Sequence, residues 1–126
     1  MYMIIQFDLF FLLDNLKNKK YMNFTGNENH EISLNEAAEL TQRFRDNLPV
    51  IDNTIAEYFG KSALEDLLSQ QDCIGIRVYY GIDSDMRKHL VIVGVNEEGN
   101  DLYNGALMEL GKPCPPICPD SNPLNS

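Results

Sequence analysis

HLVIVGV, residues 89–95, is the stretch on which the fold of this chain turns. A strand with one wet face alternates apolar with polar side chains, and this one does not. Leu90, Ile92 and Gly94 point one way and Val91, Val93 and Val95 the other, so both faces need cover. Upstream, CIGIRVYYG is rich in β-branched and aromatic residues and reads as a strand at about residues 73–80. IDSDMRK is a turn between them. The two strands are expected as an antiparallel hairpin with Tyr80 opposite His89. Downstream, NEEGN is a second turn and DLYNGALMEL a third strand, interrupted at Asn104-Gly105 by what reads as a bulge.

Working outward toward the N-terminus, Ser33 and Glu36 have capping-box spacing, with Ile32 and Ala37 placed as a hydrophobic staple. They predict a helix over about residues 34–47, with Leu34, Ala37, Ala38, Leu40, Thr41, Phe44 and Leu48 along one stripe. Pro49 ends it. A second helical region is expected at about residues 53–70, broken at Gly60 and restarted by the Ser62/Glu65 pair. Residues 23–31 read as a polar linker. Four of the six prolines fall in GKPCPPICPDSNPLNS, an expected irregular C-terminal tail.

The 126 residues suit one domain at residues 23–126, preceded by an apolar segment at 1–22, and 44% hydrophobic content supplies a core. That first segment contains MYMIIQFDLFFLL. It lacks a positive n-region and is too short to span a membrane, and Met22 is a candidate start. Residues 1–16, the tail or a second chain are the candidates to cover the second face of residues 89–95. A net charge of −9, without a Lys/Arg stripe, repels phosphate backbones, so no nucleic acid is expected as a partner and no membrane either. Three cysteines without a secretory signal predict a reducing, cytoplasmic setting, no disulfide framework and at least one free thiol.

Two constellations carry chemistry. Cys114-Pro115-Pro116-Ile117-Cys118 puts two thiols on a stiff frame that suits a soft metal or a labile disulfide. With His89, expected at the same end of the sheet, Cys114 and Cys118 form a zinc-type trio, a carboxylate or water serving as fourth ligand. The plainer reading makes both cysteines small apolar plugs in a docked tail. His89, Tyr79, Tyr80, Asp83 and Asp85 gather at the first hairpin turn, but turn chemistry and strand packing account for them, so catalysis is not expected. Asp83-x-Asp85 and Asn96…Asp101 lack EF-hand spacing. No phosphate-loop, dinucleotide, zincin or nucleophile-elbow pattern occurs.

CIGIRVYYGID (73–83), LVIVGVNEEGND (90–101) and the CPPIC…PLNS ending are similar to a family of small bacterial proteins, which also carry a helix like ISLNEAAELTQRFR (32–45). The resemblance covers about residues 30–126. No activity attaches to that family, so it implies a cytosolic single domain and no functional residue. The expected architecture is α+β: N-terminal helices packed on a three-stranded antiparallel sheet, with a proline-rich C-terminal tail. The expected role is a non-enzymatic interaction or regulatory protein. It would bind a protein partner or self-associate, homodimer included, through the sheet residues Val91, Val93, Val95 and Tyr79 or through the acidic helical surface. The alternative is a metal- or thiol-dependent protein using Cys114, Cys118 and His89.

Overall fold

The computed structural model describes residues 23–126. Expectations attached to residues 1–22 lie outside the described residues. The described chain is α+β, with two helices, a three-stranded antiparallel sheet and a separate two-stranded sheet.

Helix α1, Leu34–Arg45, opens on the capping box read from the sequence. Ser33 Oγ accepts the Glu36 amide (3.1 Å), and Glu36 Oε2 accepts the Ser33 amide (2.9 Å). Arg43 and Arg45 in its last turn complement the carbonyl end of the helix. None of its residues is fully buried: Ala37, Ala38 and Thr41 are half-covered, while Leu34, Leu40 and Phe44 are exposed.

The expected helix at 53–59 is replaced by β1, Ala56–Tyr58. Asp52 takes the Thr54 amide (3.0 Å) in a local turn, and β1 then pairs antiparallel with β5, Lys112–Cys114, so that Ala56 lies opposite Cys114. A distant partner strand has overridden helical periodicity here. Helix α2, Lys61–Leu68, follows. Gly60 is its N-cap and no side chain caps it, so the Ser62/Glu65 box is not used: Ser62 already lies inside the first turn. The helix packs against the central strand, and its Leu67 is fully buried.

Strands β2, Gly75–Ile82, and β3, Lys88–Val95, form the expected hairpin, shifted by one residue. Tyr80 faces Leu90, and His89 faces Gly81. The turn sets this register. Asp83 N donates to Arg87 O (2.9 Å), and Asp83 Oδ1 accepts the amides of Asp85 (2.8 Å) and Arg87 (3.0 Å). The third strand shrinks to β4, Leu107–Met108, with a lone bridge from Val95 to Asp101. Asn104-Gly105 belongs to a turn rather than a bulge, since Gly105 N donates to Leu102 O (3.0 Å). Gln70 Oε1 then accepts Ala106 N (2.8 Å), and a Cβ at Gly105 would collide with that oxygen.

The order β2-β3-β4 makes β3 the central strand. Ile92 is 4% exposed, Val93 2% and Val95 3%. Both faces of the strand are therefore covered within one chain. On one face a Cβ at Gly94 would meet Cys73 Sγ at 2.9 Å and Leu102 Cδ1 at 3.4 Å, so the neighbours close directly onto the backbone. The tail is fastened at its start by the pairing of β5 with β1, and further contacts shape and hold the rest. Cys114 and Cys118 form a disulfide with Cα atoms 4.7 Å apart, and the Arg45 guanidinium donates to the carbonyls of Leu124 and Ser126. Replacing the buried side chain in Leu67→Ala should destabilise the fold by about 2–5 kcal/mol. Val50→Ala, at a fully exposed position, should change it by less than about 0.5 kcal/mol. Urea denaturation reads both.

Candidate functional site

Backbone polarity along β3 defines which edge of the sheet is open. The amides of Lys88 and Leu90 point away from β2, because they donate to Asp52 Oδ2 (2.7 Å) and Glu57 Oε1 (3.2 Å). Asp52 is buried, and Lys88 Nζ lies 3.0 Å from its Oδ2. Its pKa is held far below the ordinary carboxylate range, first by the Thr54 hydroxyl and then by the Lys88 amide. These carboxylates close the flank of β3 where β4 does not reach.

Alternation along the ladder assigns the inward hydrogen-bonded pairs to Arg77–Val93, Tyr79–Val91 and Gly81–His89. Backbone N–H and C=O groups of Ile76, Val78, Tyr80 and Ile82 then face outward, and no further strand pairs with that edge among the described residues. The same four side chains share one face of the strand. Their exposures are 44%, 40%, 93% and 62%. An unpaired strand edge and an uncharged apolar row thus coincide.

The row runs into a cleft of about 480 Å³ between α1, the hairpin and β1. Leu40, Phe44, Ile55, Tyr80, Ile82 and Leu90 supply much of its lining. Lys88 stands at its wall with Nζ 5.5 Å from the Phe44 ring centroid, which links α1 to β3.

His89 sits between two carboxylates, with Nε2 2.8 Å from Asp83 Oδ2 and Nδ1 3.2 Å from Glu109 Oε1. The Asp83 hydrogen bond, more than the charges of Asp83, Glu109 and Glu57, raises its pKa above the ordinary 6.5. The Arg87 amide, then His89, lowers that of Asp83. Of the acid–base group expected at the turn, His89 and Asp83 are brought together. Tyr79 instead donates to Asp101, which also accepts from Arg77. That contact raises the Tyr79 pKa, and the Tyr79 hydroxyl, then Arg77, lowers that of Asp101.

Cys114 and Cys118 are joined to each other, which is the disulfide alternative of the two readings of this pair, and Cys73 is a free thiol. Sulfurs held in a disulfide are not thiolates and do not ligate zinc. Among the described residues no three His, Cys, Asp or Glu side chains are grouped to hold a metal ion. Asn96 Oδ1 accepts the amides of Glu98 (3.1 Å) and Asn100 (3.0 Å), so the Asn96…Asp101 loop is an Asx-type turn. Of the expected interface residues, Val93 and Val95 are buried in the single chain, Val91 is half-buried and Tyr79 is exposed. Among the described residues no helix is long and apolar enough to cross a membrane.

Sequence reasoning missed Asp52, Glu57 and Glu109, and it met Asp101 only as part of a calcium-like loop rather than as the partner of Tyr79 and Arg77. Only Asp52 had a local signal, the Asp-x-Thr turn spacing. No family model, curated protein or solved structure matches the chain.

The His89 contacts carry a pH signature. Because its pKa is raised on folding, its contribution is fully present below the ordinary histidine value and is lost as pH rises through the raised value. His89→Ala should therefore cost more stability at pH 5.5 than at pH 9, as measured by urea denaturation at both.

Proposed function

We propose that this protein is a non-enzymatic interaction protein which binds an extended apolar segment of a protein partner along the outer edge of β2. Such a segment takes main-chain hydrogen bonds from the edge and sets alternate side chains on the row and in the cleft. The observation that carries this reading is the coincidence, at Ile76, Val78, Tyr80 and Ile82, of outward-facing backbone groups with exposed apolar side chains. Long apolar edges are normally blunted by charge, proline or cover. Here Tyr80, almost wholly exposed, lies open at the middle of the edge. A cytoplasmic setting, with neither nucleic acid nor membrane as partner, belongs to the same proposal.

Two substitutions test it. Tyr80→Lys puts a charge on the edge at a fully solvated position. Val78→Pro removes an outward amide that no strand of the sheet uses, a place where proline is tolerated. Both proteins should stay folded and lose at least tenfold in binding of a partner captured by the immobilised wild type, while Tyr58→Lys, on the other sheet, retains it. Equal capture by all four would end the reading.

The disulfide favours a second reading, the thiol-dependent protein. Cys118 is exposed and Cys114 buried, so a dithiol reductant reaches the Cys118 sulfur, releases Cys114 as the thiolate and closes its own disulfide. Native protein should then titrate one thiol, Cys73, before treatment and three after it. A bridge that opens only in denaturant would remove this alternative.

A further inference from the structure

We infer that the partner seated on β2 is a second copy of this chain, paired antiparallel about a two-fold axis at Tyr79. The inference rests on the interaction reading above and names the occupant of the same surface.

Register supplies the first argument. A two-fold pair of β2 strands must match each residue with one reflected through the axis. With the axis at Tyr79, Ile76 falls opposite Ile82 of the second copy and Val78 opposite Tyr80. All four outward-facing residues then pair among themselves, and each pair exchanges two main-chain bonds, about eight in total. An axis at any other residue of β2 leaves at least one of the four without a partner from the set. Side-chain chemistry agrees, since β-branched and aromatic–β-branched cross-strand pairs are favourable ones.

Charge supplies the second. At a net charge of −9, two copies meeting through an average patch set acid against acid. Gly75–Ile82 contains one charged side chain, Arg77, which is already engaged by Asp101 on the face opposite the row. In the Tyr79 register Arg77 stands opposite Gly81 of the second copy, so no like charges face each other. The edge is a neutral strip on an acidic molecule.

Pairing there joins two three-stranded sheets into one of six strands. It also brings Ile76 and Val78 of the second copy beside Ile82 and Tyr80 at the mouth of the cleft, covering apolar surface that backbone pairing alone would leave wet.

Purified full-length protein tests this by sedimentation velocity across a thousandfold concentration range, with disulfide capture as a second readout. Wild type should reach twice the monomer mass as concentration rises, and both Tyr80→Lys and Val78→Pro should remain at monomer mass. Tyr79 faces its own copy at a non-hydrogen-bonded position, where Cα atoms approach to about 4.5 Å, within disulfide reach. Tyr79→Cys should therefore form an intermolecular bridge under mild oxidation, whereas wild type, whose Cys73 is a built-in control, should not. Wild type that stays monomeric throughout overturns the second copy as partner and leaves the edge to be judged by partner capture. A dimer that persists in Tyr80→Lys and Val78→Pro, without a Tyr79→Cys bridge, is held by another surface and likewise overturns the second copy as occupant of this edge.

Discussion

Sealing β3 from water on both faces is the constraint on which the rest of the structure depends. Ile92, Val93 and Val95 are withdrawn together, in a strand that pairs with β2 and β4 and packs against α2. Gly94 is part of the same demand. Its missing side chain lets Cys73 and Leu102 approach the strand, so one glycine inside a run of valines marks where a layer closes on the backbone. Among the described residues the other buried apolar groups are Leu67 and Cys114, which add to the core from the helix and the tail.

Side chains stand in for strands around that centre. Asp52 and Glu57 accept the Lys88 and Leu90 amides, and Gln70 takes the amide of Ala106. Each satisfies a backbone donor that a longer β4 would have used. Glu57 also belongs to β1, so the same contact ties the two-stranded sheet, and through it the tail, to the main one. The α1 helix is held differently. Among the described residues its links to the body include Lys88 over Phe44 and Arg45 on the tail carbonyls, polar or mixed contacts around an open cleft. A helix attached in this way leaves its apolar side chains available.

What could be read from the sequence follows the range of the interactions. The α1 capping box and the β2–β3 hairpin depend on residues three to twenty apart, and both were legible. The two-faced burial of residues 92–95 was legible too, because alternation alone demands it, while residues 89–91 of the same run are only half-buried. β1 was not: three residues have no period, and their strand character comes from β5, more than fifty residues away. The one-residue register shift comes from Asp83 folding the turn onto itself, a choice among turn geometries that spacing does not rank. At the site, the Ile76, Val78 and Tyr80 face was visible in the pattern. Which edge of the sheet lies free depends on strand order, and that order required coordinates.

The carboxylates along β3 have a last consequence. With Asp52 and Glu57 occupying one flank, and β4 only two residues long beyond them, the three-stranded sheet offers one long rim among the described residues. A molecule with two such rims stacks end to end into filaments. One with a single rim exhausts its capacity at the first encounter, so propagation stops there. Two acidic side chains therefore give an exposed hydrophobic strand a built-in terminator.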